Sequence, residues 1–400
     1  MAKNDIYVQD HEHEISAALI KDTVNQYFGS LRDPRLANRT IYSLVDILFI
    51  TICAVLCGAE DLEDVATYAQ EKKEWLQSFL NVSDQTPCYS TFWWTFVLLK
   101  PEDLERCFVE WVQALITVRT GETIAIDGKA LRGTNDAKRP GSFVHMVSAW
   151  GANSNFTLAQ VKVDTKSNEI TAIPKLLDMM SIEGSVVTID AIGCQTSITE
   201  KIVDSGADYI LGLKENQPHL YDEVVNYFSQ VVDDELEEAE CQLFVSENTS
   251  EKEKHGRIEV RKIYTTGSID FLPQKGDFKK LQSIVCVCSQ RTVGDKTSEE
   301  KRYYISSLPS NPERQGDAIR SHWGIENKVH WVLDVTFNED KLKAKTGYIA
   351  ENLAVIRHIV VNLLKNDRKT KGSIAKKRFK AALNEGYFVE VLKGFFSLGQ

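Results

Sequence analysis

From Asp33-Pro34-Arg35 to Leu80, and again from Ser90 to Val118, apolar residues return every three to four positions, a spacing that predicts amphipathic helices. After Val118 the period changes. Short apolar runs at Thr123–Asp127, Val144–Trp150 and Thr157–Val163 predict three strands. A helix opening near Pro174 and ending by Met180 follows, then a strand at Ser185–Asp190, a helix after Gln195 and a fifth strand at Tyr209–Lys214.

Three strands, a helix, a strand, a helix and a strand is the order of a ribonuclease-H-like layer. Between Lys214 and Pro312 the pattern is mixed, with β-like runs at Ile258–Thr265, Ser283–Ser289 and Arg302–Ser306, and reads as an insertion over about 218–311. A helix then runs from Pro312 to about Leu333, and another from Ala350 to Leu364. The expected fold is α/β: a ribonuclease-H-like mixed sheet with helices, a β-rich insertion before a late helix, and an all-helical N-terminal domain. The divisions are a polar segment at 1–30, a helical domain at 31–118, an α/β domain at 119–365 and a basic segment at 366–400.

Four hundred residues that are 43% hydrophobic can bury a large core. The strongest apolar stretch, Ile41–Leu56, contains Ser43 and Asp46 and is shorter than the roughly 20 residues a membrane span needs, so it reads as a core helix. No charged-then-apolar leader opens the chain, and the eight cysteines lack paired metal spacing, so a cytoplasmic protein is expected. The formal charge of −10 is unusual for a phosphate binder, but it is unevenly spread. Asp233–Glu240 is acidic and reads as a solvated face; Lys365–Lys380 is strongly basic and reads either as a phosphate contact or as a second solvated face.

Two strands deliver a carboxylate: Ile124-Ala-Ile-Asp127 and Val186-Val-Thr-Ile-Asp190. If the strands are neighbours, both acids emerge at one edge, where they repel unless a divalent cation lies between them. A salt bridge from Asp127 to Lys129 or Arg132 is the competing account. In the helix after Pro312, His322, Glu326 and His330 recur every four residues on one face, beside a stripe of Trp323, Asn327 and Trp331. Glu326 completes an acidic trio suited to magnesium or manganese, whereas the paired histidines alone would also suit zinc or iron.

IDGKALRG, HMVSA, TIDAIGCQ, GADYILGLKENQ, HGRIEVR, RYYISSL, HWGIENKVHWVLDVTFNED and ENLAVIRHIVVNLLK stand in this order between residues 126 and 365. Together they resemble the ISAs-type insertion-sequence transposases, or H-repeat-associated proteins. The resemblance implies a DDE catalytic core with Asp127, Asp190 and Glu326 as catalytic and metal-holding residues. It also implies Mg2+ or Mn2+ as cofactor, DNA at element ends and targets as partner, no membrane, and a homodimer in the synaptic complex. Many related enzymes carry a tyrosine, an arginine and a lysine around the glutamate; here those offsets hold Ile319, His322 and Leu333. Lys129, Arg132, Lys214, Asn216, Gln217, Arg257, Arg320, His322 and Lys328 are the expected DNA contacts, with Arg261 a further candidate. Two other readings stand beside the transposase: a catalytically silent, repurposed DNA-binding relic, and a metal-dependent nuclease that cuts without joining.

Overall fold

The computed structural model describes residues 19–78, 80, 85–116, 120–135, 143–164, 168–233, 244–252 and 257–395. Nine strands form one sheet: β1 (Thr123–Leu131), β2 (Val144–Gly151), β3 (Thr157–Lys162), β4 (Val186–Ile189), β5 (Asp208–Leu213), β6 (Phe244–Lys252), β7 (Arg257–Thr266), β8 (Ser283–Val293) and β9 (Lys296–Ser306). Their order is β3-β2-β1-β4-β5-β9-β8-β7-β6. β1, β4 and β5 are parallel to one another, while the pairs on either side are antiparallel. This is the ribonuclease-H-like arrangement, and its central strand Val186-Val-Thr-Ile is buried throughout, as a strand covered on both faces must be. The β-rich insertion continues the same sheet, because β9 pairs directly with β5 from Ile210↔Ser306 to Leu213↔Tyr303. The polar strand β6 carries no apolar run and was invisible to the sequence pattern.

Two expectations require correction. β1 does not stop at Asp127: its parallel pairing with β4 ends at Ile126↔Ile189, but its antiparallel pairing with β2 continues to Leu131↔Val144. The helix expected to open at Pro174 spans Glu169–Asp178, with the proline inside it. The missing N–H there leaves the Ile170 carbonyl without its intrahelical donor, the cost of a proline inside a helix.

Helices at 19–28, Leu44–Cys57, Leu62–Glu71, Tyr89–Leu98 and Pro101–Leu115 fill the N-terminal region. Ser43 and Asp61 cap two of them by accepting bonds from the Asp46 and Asp64 amides. They share one apolar core with the sheet and with the long helix Ile349–Asn366. Asn352 reaches across to the Phe96 and Leu99 carbonyls at 3.1 and 2.8 Å. From the basic C-terminal region, Arg378 turns inward and donates to the Val55, Ala59 and Thr336 carbonyls at 2.9, 2.9 and 2.6 Å, and Lys377 donates to the Leu364 carbonyl. These two cations therefore close the fold and are not surface phosphate contacts. Trp93 packs on the core, and its neighbour Trp94 is 54% exposed. No helix among the described residues is long and apolar enough to cross a membrane.

Candidate active site

The β1–β4 ladder ends at Ile126↔Ile189, and Asp127 and Asp190 are the residues that follow that last pair. Parallel neighbours lie about 4.8 Å apart and project paired side chains to the same side, so the backbone alone sets these two carboxylates side by side. That side is covered by the helix Pro312–Ile325, which runs on through a π-helical turn, Glu326–His330, into Trp331–Thr336. A π turn inserts a residue into the helical ladder, and here it begins at Glu326. Gly324 brings the helix close to the sheet: a Cβ there would meet the Trp150 ring at 2.4 Å.

The acids feel one another. Burial, and next the charge of Asp127, raise the pKa of Asp190. Burial, and next Asp127, also raise that of Glu326, with Asp190 contributing. Asp127 runs the other way: burial opposes its ionisation, but the hydrogen bond and charge of His330, with His322, outweigh it and hold its pKa low. His330 Nδ1 lies 3.3 Å from Asp127 Oδ2, and Gly128 N–H donates to Oδ1 at 2.9 Å. The Asp190 carboxylate accepts from Ile192 N–H at 3.2 Å.

Two participants escaped the sequence reading. Glu169, the first residue of its helix, is pushed up to about 7 by burial, then by Asp190 and Asp127. Its carboxylate lies against Gly128, where a Cβ would stand 2.1 Å from Oε1. Misplacing that helix start at Pro174 hid it. The second, His330, was noticed for its spacing but not as the partner of Asp127.

The expected DNA contacts separate into groups. Lys129 is committed to the fold: its ammonium lies 2.6 Å from Asp334, 2.7 Å from Glu339 and 3.7 Å from Asp340. It is also not the partner of Asp127. His322 is half-buried with Nδ1 3.1 Å from Thr188 Oγ1; burial lowers its pKa, against the charges of Asp127 and Asp190, which raise it. Asn216 and Gln217 donate to the Ala191 and Cys194 carbonyls at 2.6 and 2.8 Å, bracing the turn after Asp190. Ile319 and Leu333, at the offsets where related enzymes carry polar residues, are core residues.

Arg132, Lys214, Arg320 and Lys328 remain at the surface or in clefts. Lys214 lines a cavity of about 900 Å3 with Asp190, Glu326 and Arg302. An adjoining cavity of about 420 Å3 is lined by Arg261, Arg291, Arg302 and Arg320 together with Glu259, Glu300 and Asp317, Arg302 pairing with Glu300 and Arg261 with Glu259. Arg302 stacks 4.4 Å from the Trp323 ring centroid, joining the two clefts. Arg291 and Arg302 were not singled out from sequence, because their strands face this cleft only once β8 and β9 are paired. The Arg257 side chain lies outside the described residues, as do 234–240 of the acidic run.

Among the described residues no three acid, histidine or cysteine side chains form a ready metal cage. Magnesium does not require one, since it is commonly held by one or two carboxylates with water and substrate phosphates completing the shell. Asp127 raises the pKa of both Asp190 and Glu326, a repulsion that such a cation would relieve.

The chain is similar to several known proteins. The model of the transposase DDE domain matches residues 119–363, and the DDE_Tnp_1-associated model matches residues 25–112. "Putative transposase YncI" of Escherichia coli O157:H7 is 36% identical over 382 residues, covering 93% of this chain and 95% of that protein. "H repeat-associated putative transposase YhhI" of Escherichia coli K12 is 36% identical over 376 residues, 92% of this chain and 97% of the relative. An uncharacterised protein from the dhlA 3′ region of Xanthobacter autotrophicus is 37% identical over 298 residues, 74% and 98% of the respective chains.

Proposed function

The chain belongs to the DDE transposase family, and from that premise we propose that it cuts DNA at the ends of an insertion sequence and joins the freed ends to target DNA. The observation that carries the reading is the ladder ending at Ile126↔Ile189, which sets Asp127 beside Asp190 under the helix bearing Glu326.

In the first step a water oxygen bonds to phosphorus and the P–O3′ bond breaks, leaving a 3′-hydroxyl and a 5′-phosphate. In the second, that hydroxyl oxygen attacks a target phosphodiester, so one phosphodiester forms as one breaks and no protein intermediate is needed. Divalent cations held by Asp127, Asp190 and Glu326 would supply activation of the attacking oxygen and charge stabilisation of the leaving one. The chain's own residues do the rest. His330 fixes the Asp127 carboxylate, and the Asn216 and Gln217 braces hold the turn that follows Asp190. Lys214 and Arg320 offer cations to the phosphates of a strand crossing the two joined clefts, where Arg302 is held by Glu300. Arg132, 78% exposed and 3.7 Å from Asp340, extends that set beyond β1. Pairing two element ends calls for two copies of the chain, so a homodimer belongs to the proposal.

Labelled DNA spanning the two ends of the element that encodes the chain, incubated with the protein and Mg2+, tests this. Joined products are expected. Cleavage without joining would reduce the protein to a nuclease, and binding without cleavage would make it a silent relic.

A further inference from the structure

On the far flank of the glutamate helix lies a cavity of about 760 Å3 that the chemistry above does not use. The β2–β3 turn at Asn155, the helix residues Lys328 and Trp331, and Lys365 and Arg368 from the C-terminal region all line it. Among the described residues its lining contains no acidic side chain.

Lys365 is the anomaly. Its ammonium is buried and has no hydrogen-bond partner among the described residues. It lies 6.0 Å from the Trp150 ring centroid, and Lys328 Nζ lies 5.2 Å from the same ring, so two cations share one indole. Lys328 also donates to Asn155 Oδ1 at 3.1 Å. Burial, then the charge of Lys328, bring the Lys365 pKa down to about 7. A buried cation without a counter-charge is costly, and a methionine of similar length would fill the space without that cost. Trp331, 58% exposed, and Val335, 55% exposed, form an apolar shoulder at the mouth.

We propose that this cavity binds a backbone phosphate of a DNA strand, with Lys365 and Lys328 meeting the phosphate oxygens, Arg368 at the rim and Trp331 against an adjoining sugar or base. A phosphate supplies the anion that both ammonium groups lack among the described residues, and an exposed indole beside a basic cleft is the pairing by which proteins hold single strands. Lys328 is two residues beyond Glu326, so a strand leaving the acids along this helix meets the cavity next. The inference rests on the transposase reading for its choice of DNA, but not on catalysis.

Binding of labelled single- and double-stranded DNA by the full chain, measured without divalent metal at several salt concentrations, tests it. Lys365→Met should weaken binding about tenfold and flatten the slope of log K against log[salt] by about 0.7–0.9, the value for one lost phosphate contact. Its melting temperature should equal or exceed that of the wild type, whereas a merely structural lysine would lower it. Trp331→Ala, at an exposed position, should weaken binding severalfold and serves if the first variant does not fold. Unchanged affinity in Trp331→Ala, or unchanged affinity and salt slope in Lys365→Met, overturns the proposal. So does thermal stabilisation of the wild type by inorganic phosphate but not by DNA, which would make this a free-phosphate site. A wild type that binds DNA through this cavity yet cleaves nothing would sink the catalytic reading and leave this one standing.

Discussion

Asp127 Oδ2 lies 3.3 Å from Nδ1 of His330, a residue one helical turn beyond Glu326 on the same helix. The contact ties the first acid of the site to the element carrying the last. Because outer partners orient metal-holding carboxylates, His330→Ala should raise the Mg2+ concentration for half-maximal DNA cleavage about 10- to 100-fold. A Mg2+ titration of cleavage rate reads this directly. An unchanged titration would show that the histidine serves packing alone.

Lys129 gives a contrasting outcome. It stands among Asp334, Glu339 and Asp340, with Glu339 also 3.6 Å from the buried Arg357. Lys129→Met leaves that acidic group short of a counter-charge, a change that costs on the order of 3–5 kcal/mol for a buried pair. Urea denaturation should show the loss. Unaltered stability with weakened DNA affinity would restore Lys129 as a phosphate contact.

Glu169 is tested through its neighbour. A methyl group on Gly128 would press on the flexible end of Glu169, so Gly128→Ala should fold while displacing that carboxylate. Gly128→Ala and Glu169→Gln should both slow cleavage, by about tenfold if Glu169 supports the site as an outer partner does. Wild-type rates in both would remove Glu169 from the account.

Stability should also depend on pH through Glu105, far from the acids of the site. Burial, then the charges of Glu102 and Glu351, push its pKa up from the usual 4.5 to about 8. A carboxyl with a raised folded pKa binds its proton more tightly in the folded chain, so it carries no penalty below about 4.5 and loses stability as pH rises from there through about 8. Glu105→Gln should therefore be more stable than the wild type at pH 8.5 and nearly equal at pH 4.5. At about 1.4 kcal/mol per pH unit the gap reaches several kcal/mol. Parallel denaturation curves across this range would contradict the assignment.

What the sequence made legible follows from burial. β1 to β5 announce themselves because central strands need apolar side chains, and Asp127 within β1 and Asp190 directly after β4 stand out against such runs. The glutamate helix was legible from Pro312 onward, though not its π turn, which leaves no compositional mark. β6 was silent because its residues, FVSENTSEK, lie on the edge of the sheet and need no alternation. Long-range charge partnerships were the least accessible. Lys129 and Glu339 are 210 residues apart, and nothing local to IDGK distinguishes a lysine that meets DNA from one that meets buried acids.

The central claim is that Asp127, Asp190 and Glu326 act together on DNA. Its most direct test is Mg2+-dependent cleavage of element-end DNA by Asp190→Asn, measured beside DNA affinity in the same preparation. The account predicts cleavage at background with affinity within about twofold of wild type, since one carboxylate oxygen is exchanged for an amide while the basic clefts are untouched. Retained cleavage in Asp190→Asn would contradict it.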